Sequence, residues 1–134
     1  MWSKARMVTL VPVRNMNRAI KFYTKGLGGK VMDRAPGKMK DMWASLRLGK
    51  EELWFIVPSK WEKRTLAYQS FLVRNIKGVV TELQRKGVKF EKPDEPSPGA
   101  RVEGPITIEP FGSAAFFKDS EGNLLMVWEN NPPM

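Results

Sequence analysis

The hydrophobic positions of this chain follow one pattern twice. Met16, Ala19, Ile20, Tyr23 and Leu27 fall at the i, i+3, i+4, i+7 spacing of a single buried helical face. Asn15 stands where a side-chain oxygen can accept from an unpaired first-turn N–H, and Gly28-Gly29 stops the helix. Sixty residues later Asn75 precedes Ile76, Val79, Val80 and Leu83, with Gly87 as the stop. Each stripe follows a short apolar, β-branched run, residues 7–13 and 67–73, that predicts a strand. The pair Arg-Asn itself recurs, at 14–15 and 74–75.

Further strand-like runs come after each helix. The first copy offers residues 30–33, 41–48 and 51–57, the last two joined by a tight turn at 48–51. The second offers 88–91, 106–118 with a break near Gly112, and 123–129 after a turn at 119–122. Residues 92–105, dense in proline and glycine, predict a long loop. The expected fold is therefore α+β: two tandem βαβββ modules forming a curved mixed sheet, helices on its convex face and the concave face left for a pocket. A single domain over 1–134 would hold module 1 at about 5–58, a linker at 59–66, module 2 at about 67–129 and a tail at 130–134. One such module has too little core to stand alone.

Composition narrows the chemistry. The 134 residues include no cysteine and no histidine. That excludes disulfides, thiolate and imidazole metal sites, a Ser-His-Asp triad and the usual proton shuttle near neutral pH. The net charge of +9 attracts anions, with a solvated basic surface as the plainer reading. No zinc-finger spacing, RNA-recognition signature or helix-turn-helix supports a nucleic-acid partner. No apolar run reaches membrane-spanning length and no secretory leader opens the sequence, so the expected compartment is the cytoplasm.

Particular segments carry a family resemblance. Val11-Pro12-Val13-Arg14-Asn15-Met16 through Phe22-Tyr23, then Leu27-Gly28, is echoed by Phe71-Leu72-Val73-Arg74-Asn75-Ile76 and by Lys86-Gly87-Val88-Lys89-Phe90. Phe116-Phe117-Lys118-Asp119-Ser120-Glu121-Gly122-Asn123 is similar to an Asp-Pro-Asp-Gly-Asn turn with serine for proline. Together they resemble the vicinal oxygen chelate superfamily of glyoxalases, bleomycin-resistance proteins and dioxygenases, over essentially the whole chain. Metal-dependent members of that superfamily hold a divalent ion through four strand positions, usually two histidines and two glutamates. The resemblance implies that these positions fall at Val8, about Ile56, about Tyr68 and Met126. None offers a suitable hard ligand, so no metal and no other cofactor is expected. A carboxylate-only site drawn from Glu52, Glu109 or Glu129 stays open.

Strand alternation then sketches a binding surface. Val8, Trp54, Ile56, Tyr68, Ser70, Phe116, Met126 and Trp128 are expected to face the concave side, with Trp43 and Arg47 as additions. Such an apolar, aromatic lining suits a planar small molecule, with Arg47 available for a carboxylate or phosphate. The favoured function is metal-independent binding of a neutral or anionic, partly aromatic ligand. A +9 protein would repel a cationic drug such as bleomycin. The alternative is a metal-independent isomerase, lyase or hydrolase using Glu129, Glu52 or Tyr68, which would need a carboxylate raised by burial or a tyrosine lowered by cations. The resemblance also implies a homodimer.

Overall fold

A computed structural model describes residues 2–62, 67, 69–93, 95–96 and 98–132. The chain divides into two units, Met1–Glu62 and Lys63–Met134, each with its own mixed sheet.

In the first unit, strand β1 (Thr9–Pro12) leads through Asn15 into helix α1 (Met16–Lys21). Asn15 caps as its sequence position predicts: its Oδ1 accepts from the Arg18 N–H at 3.0 Å. The α-helix is only six residues long and passes into a π-turn at Phe22–Gly26. Thr24 sits in that turn and donates its hydroxyl to the Ile20 carbonyl at 2.7 Å. A π-turn holds more residues per turn than an α-helix, so the predicted stripe loses phase at its end. Tyr23 stays buried, while Leu27 is only half-buried. The close approach that ends the helix needs Gly29, where a Cβ would lie 2.9 Å from the Tyr23 carbonyl and 3.3 Å from that of Arg47.

Strands β2 (Lys30–Arg34), β3 (Trp43–Leu48) and β4 (Glu51–Ile56) complete a sheet of order β1-β4-β3-β2, in which only the β1–β4 pair is parallel. Val11, Val13, Ala44, Leu46, Leu53 and Phe55 form its buried face. The Tyr23 ring meets Phe55 edge-on at 4.8 Å, which fixes this as the helix-side face.

The second unit repeats the plan with β5 (Gln69–Leu72), α2 (Ile76–Arg85), β8 (Gly112–Lys118) and β9 (Leu124–Asn130). Asn75 caps α2 through the Gly78 N–H at 3.1 Å. Thr9 pairs with Leu53 in the first sheet, and Gln69 with Leu125 in the second. The Val13 N–H donates to the Ile56 carbonyl at 2.9 Å, and the Val73 N–H to that of Trp128 at 2.8 Å. The internal repeat therefore extends to hydrogen-bond register.

Two sequence expectations are corrected in this half. Residues 88–91 do not form a strand; Phe90 makes a single bridge to Phe117, and the ladder stops before Pro93, which has no N–H to donate. The segment 92–105 is not loop throughout. Its end is strand β6 (Arg101–Glu103), paired with β7 (Ile106–Glu109) across the two residues Gly104-Pro105. Gly104, with φ of +57°, supplies the conformation that a two-residue hairpin requires. The sheet thus has five strands, in the order β5-β9-β8-β7-β6. The break predicted near Gly112 falls at Pro110-Phe111.

The β8–β9 turn is built on Asp119. One carboxylate oxygen accepts from the Glu121 and Asn123 N–H groups at 2.9 and 2.8 Å, and the other from the Asn123 side-chain amide at 2.8 Å. Asp119, Glu121 and Asn123 are all buried. Among the described residues, no helix is long and apolar enough to cross a membrane.

Candidate functional site

In each unit the face of the sheet opposite the helix carries the predicted binding residues. In the first unit, cross-strand register sets them in rows: Leu10, Trp54 and Ser45; Pro12, Ile56 and Trp43; Glu52, Arg47 and Lys30. Val8 precedes β1 with the same parity as Leu10 and is half-buried. Trp43 meets Trp54 edge-on at 5.4 Å, with ring planes 88° apart. This pair is tied down. The Trp54 indole N–H donates to Glu52 Oε2 at 2.6 Å, and Arg6 Nη1 donates to Glu52 Oε1 at 2.9 Å.

Those two donors, Arg6 first and Trp54 second, hold the Glu52 carboxyl below its ordinary pKa against the opposing effect of desolvation. Glu52 is therefore an ionised anchor. Its pKa is displaced away from the raised value that general acid–base work near neutral pH demands. A depressed folded-state pKa keeps the tether intact above the ordinary glutamate range and releases it only as pH falls through the lowered value. The Trp43–Trp54 contribution to near-UV circular dichroism is expected to hold steady down to that range and to change below it. Glu52→Gln is expected to remove that acid transition. A transition at or above the ordinary glutamate value would contradict this reading.

In the second unit, Ser70 pairs with Met126 and Met126 with Phe116, while Leu72 pairs with Trp128 and Trp128 with Ala114. Ser70 and Leu72 are exposed; Phe116, Met126 and Trp128 are half-buried. Trp128 is tethered much as Trp54 is, its indole N–H donating to Asn130 Oδ1 at 2.7 Å. Its ring lies over Gly112 and against the exposed Phe111, with ring centroids 5.7 Å apart. Tyr68 lies outside the described residues.

Glu129 stands apart from this set. It shares the helix-side parity of Leu125 and Val127, and its Oε1 accepts from the Ile76 N–H at 2.7 Å, at the start of α2. Adjacent strand residues point to opposite faces, so Glu129 and Trp128 do not share one. A carboxylate at a helix N-terminus satisfies an orphan donor and favours the dipole, which is a structural role.

Sequence reasoning did not find Arg6, Asn130 or Phe111. A signal existed for the two tethers, since Glu52 and Asn130 each lie two residues from a tryptophan on a strand and hence on its face. Nothing in the local pattern singles out Phe111 or Arg6.

The sequence model of the Glyoxalase/Bleomycin resistance protein/Dioxygenase superfamily matches residues 7–127. The chain belongs to this superfamily. Among solved structures, the superfamily fold recurs in a glyoxalase family protein from Enterococcus faecalis (23% identity, 96% of this chain and 100% of that one, TM-score 0.68). It recurs in TnmS3, an antibiotic binding protein from Streptomyces sp. CB03234 (18% identity, 95% and 98%, TM-score 0.65). It recurs also in the fosfomycin resistance protein FosX from Listeria monocytogenes (13% identity, 92% and 89%, TM-score 0.67). Among curated proteins, none matches the chain in sequence.

The repeat also refines where the superfamily's metal-ligand positions fall. Met126 pairs with Ser70, and Leu10, the counterpart of Ser70, pairs with Trp54. Trp54 thus corresponds in strand register to Met126, two residues from the position about Ile56 that the resemblance implies. The residues at these positions are then Val8, Trp54, Tyr68 and Met126; Val8, Trp54 and Met126 do not fit a hard divalent ion, and Tyr68, with a single phenol oxygen, lies outside the described residues. Aliphatic carbon and indole donate no lone pair to a metal, and a thioether is soft. Among the described residues, no group of three or more His, Cys, Asp or Glu comes together to hold a metal.

Proposed function

We propose that this superfamily member is a metal-independent small-molecule-binding protein whose ligand is neutral or anionic and partly aromatic. The observation that carries the reading is the exchange at the superfamily's ligand positions, where Trp54 and Met126 stand in place of chelating groups on the helix-free faces of the two sheets. Trp54 and Trp128 are each held by an indole hydrogen bond, and an aromatic surface that keeps its shape loses less conformational entropy on binding. That solved structures of this fold include an antibiotic binding protein is consistent with such a role. The catalytic alternative is weakened, because Glu52 is tied to Arg6 and Trp54 and Glu129 caps α2. A homodimer, to be checked by sedimentation at micromolar concentration, and a cytoplasmic location belong to the same proposal.

The test is a tryptophan-fluorescence screen of the full chain against neutral, anionic and cationic aromatic compounds, with and without a chelator. Neutral or anionic compounds are expected to bind, and the chelator to leave their affinity unchanged. Preference for cationic compounds, or affinity that vanishes with chelator and returns with a divalent ion, would refute the proposal.

A further inference from the structure

The first unit carries a cation beside its tryptophan pair, Arg47, that acts on Glu52 only through the field between them, without a hydrogen bond or ion pair among the described residues. Arg47 faces Glu52 across the β3–β4 ladder, on the face that bears Trp43 and Trp54. Both oxygens of Glu52 are already engaged, one by Arg6 and the other by the Trp54 indole. The exposed guanidinium of Arg47 makes no hydrogen bond or ion pair among the described residues. On its other side β2 presents Lys30 directly opposite, a second cation. One row of the sheet thus reads Glu52, Arg47, Lys30, with Arg6 reaching in to neutralise the single acid. The next row holds Asp33 opposite Ser45, and the Asp33 carboxylate accepts from the Arg34 N–H at 2.8 Å. Arg6, Arg47 and Lys30 outnumber Glu52 and Asp33, so the patch is net positive.

We infer that this face of the first unit is a subsite for a planar aromatic anion, with the edge-to-face Trp43–Trp54 pair taking the ring system and Arg47 taking a carboxylate or a similar oxyanion. The inference rests on the small-molecule reading above and sharpens it: between neutral and anionic ligands it selects the anion, and it names Arg47 as the residue that selects. The geometry suits the task. Arg47 and Trp54 are diagonal neighbours across the β3–β4 ladder, roughly 7–8 Å apart, a separation that a long side chain and an aromatic ring can bridge. A guanidinium meets a carboxylate through two parallel N–H donors, a fork that lysine lacks. The Arg6–Glu52–Trp54 chain orients the platform without occupying the fork.

The experiment uses isothermal titration calorimetry on the full chain with two probes of the same shape, naphthalene-2-carboxylate and naphthalene-2-carboxamide. The carboxylate is expected to bind about fivefold more tightly than the amide, the scale of a partly solvated ion pair. Arg47→Gln should erase that preference by weakening the carboxylate far more than the amide, Arg47→Lys should restore part of it, and Trp43→Ala should weaken both probes alike. Arg47 is exposed, and unchanged far-UV circular dichroism of its variants verifies the fold. Equal affinity for the two probes, a preference that survives Arg47→Gln, or no binding of the carboxylate overturns the inference. The broader proposal of ligand binding stands or falls on the fluorescence screen and its chelator arm, not on the contrast between these two probes, so the two failures are separable.

Discussion

Replacing Asp119 with alanine is expected to lower the free energy of unfolding by about 3 kcal/mol, because it strips the acceptor from three buried donors at once. The Glu121 N–H, the Asn123 N–H and the Asn123 amide all converge on this one carboxylate. Asp119 is 6% exposed, and Glu121 and Asn123 are fully buried, so water does not readily replace the lost acceptor. A typical net hydrogen bond contributes about 1 kcal/mol, and a charged acceptor or a stranded buried donor raises that figure. The turn also sets the register of β8 against β9, since Lys118 pairs with Leu124 directly across it. Asp119→Asn keeps one oxygen and should lose less than the alanine variant. Urea unfolding of the three proteins checks the order. A loss under about 1 kcal/mol for Asp119→Ala would show that the turn is held by its flanking strands instead.

Gly112→Ala carries the second large effect, and it acts through Trp128. A Cβ at this position would run into the Trp128 ring at Cζ2, lie 2.7 Å from Cε2, and meet the Glu129 carbonyl at 2.7 Å. The carbonyl belongs to the β8–β9 ladder and yields little, so the indole must leave. Leaving breaks its hydrogen bond to Asn130 and its contact with Phe111. Overpacking of this kind costs about 1–3 kcal/mol. Heteronuclear NMR reads the change directly, because the chain has five tryptophans and each gives one indole N–H signal. The Trp128 signal should move and exchange faster with solvent, while that of Trp54 stays. Unchanged positions for both, with stability within about 0.5 kcal/mol of the parent, would mean that the glycine is dispensable.

The parts of this fold that could be read from sequence are those set by local rules. Asn15 and Asn75 announce helix starts because a short polar side chain reaches the N–H three residues on. Strand parity, a two-residue rule, sets Phe55, Val57, Phe71, Val73, Phe117, Leu125 and Val127 on the faces opposite the tryptophans; Phe55, Phe117, Leu125 and Val127 are buried there and the other three half-buried. Trp43, Arg47 and Trp54 were expected to share a face for the same reason, and the β3–β4 register sets them on one. What escaped needs information from afar. The π-turn depends on the backbones of Tyr23 and Arg47 closing on Gly29. Strand β6 exists only because Ile106–Glu109 offers it an edge. The equivalence of Trp54 with Met126 is a matter of register between strands more than forty residues apart, which no local window contains. Glu129 stands as a candidate acid–base group in the sequence because its partner, the Ile76 N–H, lies 53 residues away.

The parallel pairs β1–β4 and β5–β9 also constrain the order of assembly. In each unit the first strand to leave the ribosome is laid against the last, while the strands between them meet as neighbours along the chain. Contacts near in sequence close faster than distant ones, so the hairpins can form early and the opening strand must wait. During synthesis β1 therefore stays without its partner until Glu51–Ile56 has emerged, and β5 until the final strand has. Each half is sealed by its own tail end, a timing that couples completion of the sheet to completion of the translated segment.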